Sequence, residues 1–135
     1  MLLDVNVLVA LAWDSHVHHV AARRWFLAEA EHGWETCPVT ESGFVRVSAN
    51  PKVLPHPISV AAAREVLGRL RSFRGHGFVT DDVAQVDPDL PEIHGHRQVT
   101  DSHLLALARR NGTALATFDV PLARLAPDDV VLLTA

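Results

Sequence analysis

A single cysteine, Cys37, stands in a chain of 135 residues. No disulfide can therefore form within it, and nothing with zinc-ligand spacing surrounds that residue. Both absences point to a reducing compartment, the cytosol. Lysine is equally scarce: Lys52 is alone among 12 basic residues, and the rest are arginine. A basic surplus is missing too, since the formal net charge is −4, whereas surfaces that bind phosphate are usually basic. Repeats, low-complexity tracts and linkers are absent. So is any apolar run long enough to span a bilayer. The most apolar stretch, residues 1–13, is too short for that. It has no basic n-region, carries Asp4 inside the run and shows no small-residue cleavage site, so it reads as buried, mature structure rather than a signal peptide.

What is present describes one globular domain over residues 1–135. Hydrophobic residues make up 48% and charged residues 21%, a balance that excludes disorder. Several arginines are grouped: Arg23 with Arg24, then Arg64, Arg69, Arg71 and Arg74, then Arg109 with Arg110. A guanidinium can grip phosphate in a bidentate fork, and it can equally sit on a solvated helix face.

Along the chain, β-rich and helical patterns alternate. Strands are predicted over 1–5, 34–39, 78–80, 114–118 and 130–134. Helices are predicted over 6–13, 16–32, 40–50, 59–74, 100–111 and 120–125. Gly33, Pro51 and Asn111-Gly112 act as stops, and Ser59, Thr40 and Thr100 as caps. In the second helix the expected apolar stripe is Val20, Trp25 (or Ala21), Leu27 and Ala28. The stretches 51–57 and 87–97 are proline-rich loops. This alternation predicts an α/β three-layer sandwich with a central, mostly parallel sheet. In such folds the working site lies outside the carboxyl ends of the strands.

Four acids fit that rim. Asp4 sits in Leu2-Leu3-Asp4-Val5-Asn6-Val7-Leu8, where its neighbours favour burial, and a buried carboxylate needs a partner or a cation. Asn6 stands closer to the helix start and is expected to cap it, which frees Asp4 for another role. Asp119 ends the apolar segment Leu115-Ala116-Thr117-Phe118 in the same way. Glu41 and Asp101 each follow a threonine and precede a serine, in the first turn of a helix. Individually such acids need no purpose beyond the helix dipole, worth about 0.3–1 kcal/mol. Converging, they need countercharge, because two carboxylates about 4 Å apart repel by roughly 4 kcal/mol at an effective dielectric near 20. All-oxygen donors select Mg²⁺ or Mn²⁺ over zinc.

At these residues the sequence resembles the PIN-domain nucleases and, within them, the VapC toxins of bacterial toxin–antitoxin pairs. The matching pieces are Leu3-Asp4-Val5-Asn6-Val7-Leu8, Thr40-Glu41-Ser42-Gly43-Phe44, Thr100-Asp101-Ser102-His103-Leu104-Leu105 and Ala116-Thr117-Phe118-Asp119. They occur in the family's order and span almost the whole chain. The resemblance implies a PIN-like fold in which Asp4, Glu41, Asp101 and Asp119 hold Mg²⁺ or Mn²⁺ and activate water, with Asn6 and Thr117 orienting the carboxylates. It also implies endonucleolytic cleavage of RNA (tRNA or ribosomal RNA), a cognate VapB-type antitoxin as partner, and a homodimer with no membrane association.

Rival readings are weaker. An aspartyl-nucleophile phosphohydrolase wants a second nearby Asp and a later lysine, but Asn6 holds the first position and Lys52 lies in a proline-rich loop. A catalytically silent PIN-like domain that only binds RNA or a partner is expected to lack an acid. The nine histidines, among them His16, His18, His19, His94 and His96, lack the pairing of a helical zinc site and read as solvated surface. His103 lies one step off the face of Asp101 and is given no role. Trp13, Trp25, Trp34 and Phe26 are expected to fill the core.

Overall fold

The computed structural model describes residues 1–134. Five short strands, β1 (Leu2–Leu3), β2 (Trp34–Thr36), β3 (His76–Phe78), β4 (Leu115–Thr117) and β5 (Val130–Leu132), form one sheet in the order β3-β2-β1-β4-β5. Every pairing is parallel, with Leu2 opposite Glu35 on one side and Leu115 on the other. The helices are α1 (Val5–Ala12), α2 (His19–Glu29), α3 (Pro38–Ser48), α4 (Val60–Arg71), α5 (Val99–Arg110) and α6 (Val120–Leu125).

Successive side chains of a strand point to opposite faces of the sheet, and the core divides accordingly. Leu3 and Ala116 face a cluster with Val7, Leu8, Phe26, Trp34 and Phe44, which α1 to α4 complete through Leu67. Leu2 and Leu115 face the other cluster, built from Leu104, Leu105, Leu107 and Ala108 of α5 and Leu122 of α6. The sandwich therefore has three layers, as expected, and all five strands rather than most are parallel. Trp34 and Phe26 are core residues, stacked edge to face at 5.0 Å.

Three local expectations are corrected. The second helix buries Ala22 and Phe26, whereas Val20 and Leu27 are 69% and 75% exposed. The helix has apolar residues on both sides, and its packing against α1 selects the narrower stripe. Thr40 is not a cap either. Pro38, with its missing N–H, opens α3 behind Cys37, and the Thr40 hydroxyl reaches back to accept the Cys37 N–H at 3.0 Å. Thr100 likewise lies inside α5, which starts at Val99 after a single 3-10 turn over His96–Gln98. The Ser59 cap is present, its Oγ accepting the Ala62 N–H at 3.0 Å.

The connection 79–95 carries no helix or strand and is tied to α5 by side chains. Ser102 donates to the Pro91 carbonyl at 3.1 Å, His103 meets Asp81 at 2.5 Å, and Arg110 bridges Asp82 and Asp87.

Candidate active site

The order of strands reverses between β1 and β4, and open α/β sheets place their crevice outside the carboxyl ends of strands at such a switch point. Asp4 follows β1 and Asp119 follows β4 two residues on. Asp4 is itself the N-cap of α1: its Oδ1 accepts the Val5 N–H at 2.7 Å. This corrects the expectation that Asn6 caps the helix. Asn6 lies within α1 and reaches across the sheet, donating to Thr117 Oγ1 at 3.0 Å and accepting the Phe118 N–H at 3.3 Å. Asp119 caps α6 through the Leu122 N–H at 2.9 Å.

Thr117, fully buried, is the hub. Its hydroxyl donates to Asp4 Oδ2 at 2.7 Å and accepts the Asp119 N–H at 3.1 Å. One side chain thus fixes the first acid and the backbone of the fourth, although they are far apart in sequence.

Electrostatics bring in Asp101, which sits in the first turn of α5. Its carboxyl is pushed up to about 6 by burial and then by the negative charges of Asp4 and Asp119. Burial also raises Asp4, against the pull of the Thr117 and Val5 hydrogen bonds, and Asp119 pushes it further up. Asp101 therefore feels the charges of Asp4 and Asp119, and Asp4 feels that of Asp119.

Glu41 stands on the same rim, at the start of the helix after β2, but its contacts lead elsewhere. Oε2 accepts the Thr36 hydroxyl at 2.6 Å and Oε1 accepts Arg71 Nη1 at 3.2 Å. Thr36 Oγ1 also lies 2.8 Å from His76 Nε2. Because its one proton goes to Glu41, it accepts from a histidine protonated on Nε2. Burial, followed by Arg71, lowers the pKa of His76 and favours that neutral form.

With the side chains in this arrangement, no group of three or more His, Cys, Asp or Glu among the described residues is placed to hold a metal ion. The donor chemistry nonetheless fits a hard divalent cation. The acids offer oxygen only, and Asp101, raised by burial and then by the charges of Asp4 and Asp119, is a carboxyl that a nearby cation would relieve.

Sequence reasoning missed two features around this pocket. His103, left without a role, is a half-buried partner of Asp81 and lies 3.0 Å from Gln85 through Nδ1. The histidines of the α1–α2 turn are half-buried rather than freely solvated: His18 stacks on Phe118 at 4.4 Å, and His19 Nδ1 lies 2.7 Å from the Ala10 carbonyl oxygen. No local signal marks either pairing, because both partners come from distant elements.

Among the described residues no helix is long and apolar enough to cross a membrane. Comparison with known proteins agrees with the geometry. The PIN domain family model matches residues 1–127. Ribonuclease VapC38 of Mycobacterium tuberculosis is 63% identical over 125 residues, covering 93% of this chain and 89% of that protein. Ribonuclease VapC39 of the same species is 48% identical over 125 residues, covering 90% of each. The crystal structure of M. tuberculosis VapC20, described as a sarcin–ricin loop cleaving toxin, superposes with a TM-score of 0.62 over 98% of both chains at 18% identity, a likeness of fold. An acid-lined switch point, a family match over nearly the full length and relatives of this identity lead to one assignment: the chain belongs to the PIN-domain family, in its VapC branch.

Proposed function

We propose that this chain is a divalent-metal-dependent endoribonuclease, the toxin of a type II toxin–antitoxin pair, which hydrolyses RNA phosphodiester bonds at Asp4, Asp101, Asp119 and Glu41. The reading is supported by the position of Asp4 and Asp119 at the switch point of the sheet and by Asp101 beside them, whose carboxyl is raised to about 6 by burial first and then by their charges. The names of its relatives support ribonuclease chemistry.

Asp4, Asp101 and Asp119 would hold Mg²⁺ or Mn²⁺, with Glu41 as the fourth carboxylate on the rim. A bound cation supplies Lewis-acid stabilisation of phosphate charge and a water acidic enough to act as nucleophile near neutral pH. The chain's own part is to hold the acids deprotonated and correctly aimed. Thr117 and the Val5 N–H engage both oxygens of Asp4, Asn6 holds Thr117 and the backbone at Phe118, and the Leu122 N–H fixes Asp119. Arg71 and Thr36 do the same for Glu41.

The substrate is tRNA or ribosomal RNA in the cytosol, and a cognate VapB-type antitoxin silences the enzyme. The toxin works as a homodimer, for which the exposed Leu27 and Phe73 supply apolar surface; light scattering after size exclusion distinguishes monomer from dimer. The central test is cleavage of total RNA by purified protein. Cleavage should require Mg²⁺ or Mn²⁺, stop with EDTA, and disappear in Asp4→Asn and Asp101→Asn while both variants stay folded. Full activity in either variant overturns the site, and cleavage that survives EDTA overturns the metal.

A further inference from the structure

Two adjoining grooves open beside the acids. The smaller, of ≈ 340 Å³, is bounded by Val5 and Thr100, the residues that follow Asp4 and precede Asp101. The larger, of ≈ 540 Å³, lies between α3 and α4 and ends at Val60 and Arg64. Ser42 and Arg46 line both, so the two grooves meet on α3 and together make a track beside the residues next to Asp4 and Asp101.

We propose that this track is the seat of a single strand of the RNA substrate, with Arg46 and Arg64 holding its phosphates. The proposal rests on the ribonuclease reading and names where its substrate lies. Charge is the first argument. Among the described residues Arg46 and Arg64 are exposed and form no ion pair, whereas Arg69, Arg71, Arg109 and Arg110 each pair with a carboxylate. The acid lining the larger groove, Glu41, is matched by Arg71 at 3.2 Å, so the track keeps two uncompensated positive charges. Other arginines are unpaired too, but these two line the grooves that adjoin the residues next to Asp4 and Asp101, in a chain of net charge −4.

Shape is the second argument. Ser42 and Arg46 lie one turn apart on α3, about 6 Å along its axis, which sets a hydroxyl and a guanidinium in sequence along the groove. Val45, Val60 and Leu67 supply an apolar floor for sugars and base faces, and Val60 is 46% exposed. Polar groups at the rim and an apolar floor suit single-stranded nucleic acid, where the backbone meets charge and the bases meet flat surface. A strand lying in this track delivers its next phosphodiester to Asp4 and Asp101.

The test uses the full chain and a fluorescein-labelled single-stranded RNA of about a dozen mixed-sequence nucleotides. Binding is read by fluorescence anisotropy in EDTA, where no cleavage occurs, across a series of salt concentrations. Arg46→Gln and Arg64→Gln should each weaken binding about five- to tenfold at low salt and flatten the plot of log affinity against log salt by about 0.7, the value for one phosphate contact on a single strand. The double variant should flatten it about twice as much. Arg46→Lys should restore the slope, because a point charge suffices for phosphate. In Mg²⁺, KM should rise with kcat unchanged. Arg23→Gln, outside the track, should change nothing. Unaltered binding and slope in the double variant, while wild type binds and cleaves, overturn the track and leave the ribonuclease reading intact. Wild type that neither binds nor cleaves RNA overturns both. Loss of antitoxin binding in the double variant with RNA binding untouched also overturns it, because the track then seats a protein.

Discussion

Asp101→Asn should make the metal-free protein more stable while removing its activity. In the wild-type fold the Asp101 carboxyl is pushed up to about 6 by burial and by Asp4 and Asp119. A native state with a raised acid binds a proton between about pH 4 and pH 6 that the unfolded chain has already released. Wild type therefore gains stability as pH falls through that window, and its full penalty is present above it. A shift of about two units corresponds to roughly 3 kcal/mol. The side chain is half-solvated, so screening reduces this to about 1 kcal/mol, or about 3 °C in Tm for a domain of this size. Asparagine has the same shape without the charge. In EDTA at pH 7, Asp101→Asn should thus melt about 3 °C above wild type, and the gap should roughly halve by about pH 5 and close by about pH 4 as wild type takes up its proton. Added Mg²⁺ should reverse the order, because ten times its Kd stabilises a binding-competent fold by about 1.4 kcal/mol and the variant lacks a ligand. Differential scanning fluorimetry at these pH values, with and without Mg²⁺, reads every step. A variant that melts below wild type in EDTA at pH 7, or a gap that ignores pH, would refute the burial and neighbouring charge that raise Asp101.

Other outcomes follow from the same geometry. Asp4→Ala should lose about 1 kcal/mol more than Asp4→Asn in urea denaturation, because asparagine still caps α1 and alanine does not. Thr117→Val should cost about 1–3 kcal/mol by leaving buried acceptors unpaired. It should also raise the Asp4 carboxyl further, so that the acid limb of the pH–activity profile moves to higher pH. Gly43→Ala should lower kcat by displacing α1 beside Asp4, since a Cβ there would lie 2.5 Å from Val5 Cγ2; an unchanged kcat would show that the contact is free to give. Gly75→Ala should destabilise the fold by several kcal/mol or prevent its expression as a soluble protein. Its φ is +90° and a Cβ would lie 2.0 Å from the Ala30 carbonyl oxygen.

The architecture and the rim acids were legible because they depend on short-range pattern. Apolar segments that end in Asp, and glycine or proline stops between them, fix the alternation of strand and helix, and a parallel sheet then gathers the strand ends. The roles of Asn6 and Thr117 were legible only through the family resemblance; from the residues alone Asn6 was expected to cap α1, a place that Asp4 takes. What stayed hidden depends on contacts between distant elements. The Arg71–Glu41 pair spans thirty residues and exists only because α4 lies against α3. The face that α2 buries is chosen by its neighbours, and its sequence offers two. The cap of α3 was misplaced because Cys37 is a rare capping residue, and the work is done by Pro38 and by Thr40 from inside the helix.

The long tether 79–95 has a consequence for how this molecule comes apart. A cut there leaves Asp4 and Glu41 on one piece and Asp101 and Asp119 on the other. The seam that reunites them is the pairing of β1 with β4, where the Asp4 N–H donates to the Ala116 carbonyl at 3.0 Å. Each piece would then carry only half of the proposed acids, and closing that central seam is what would bring the two halves of the site back together.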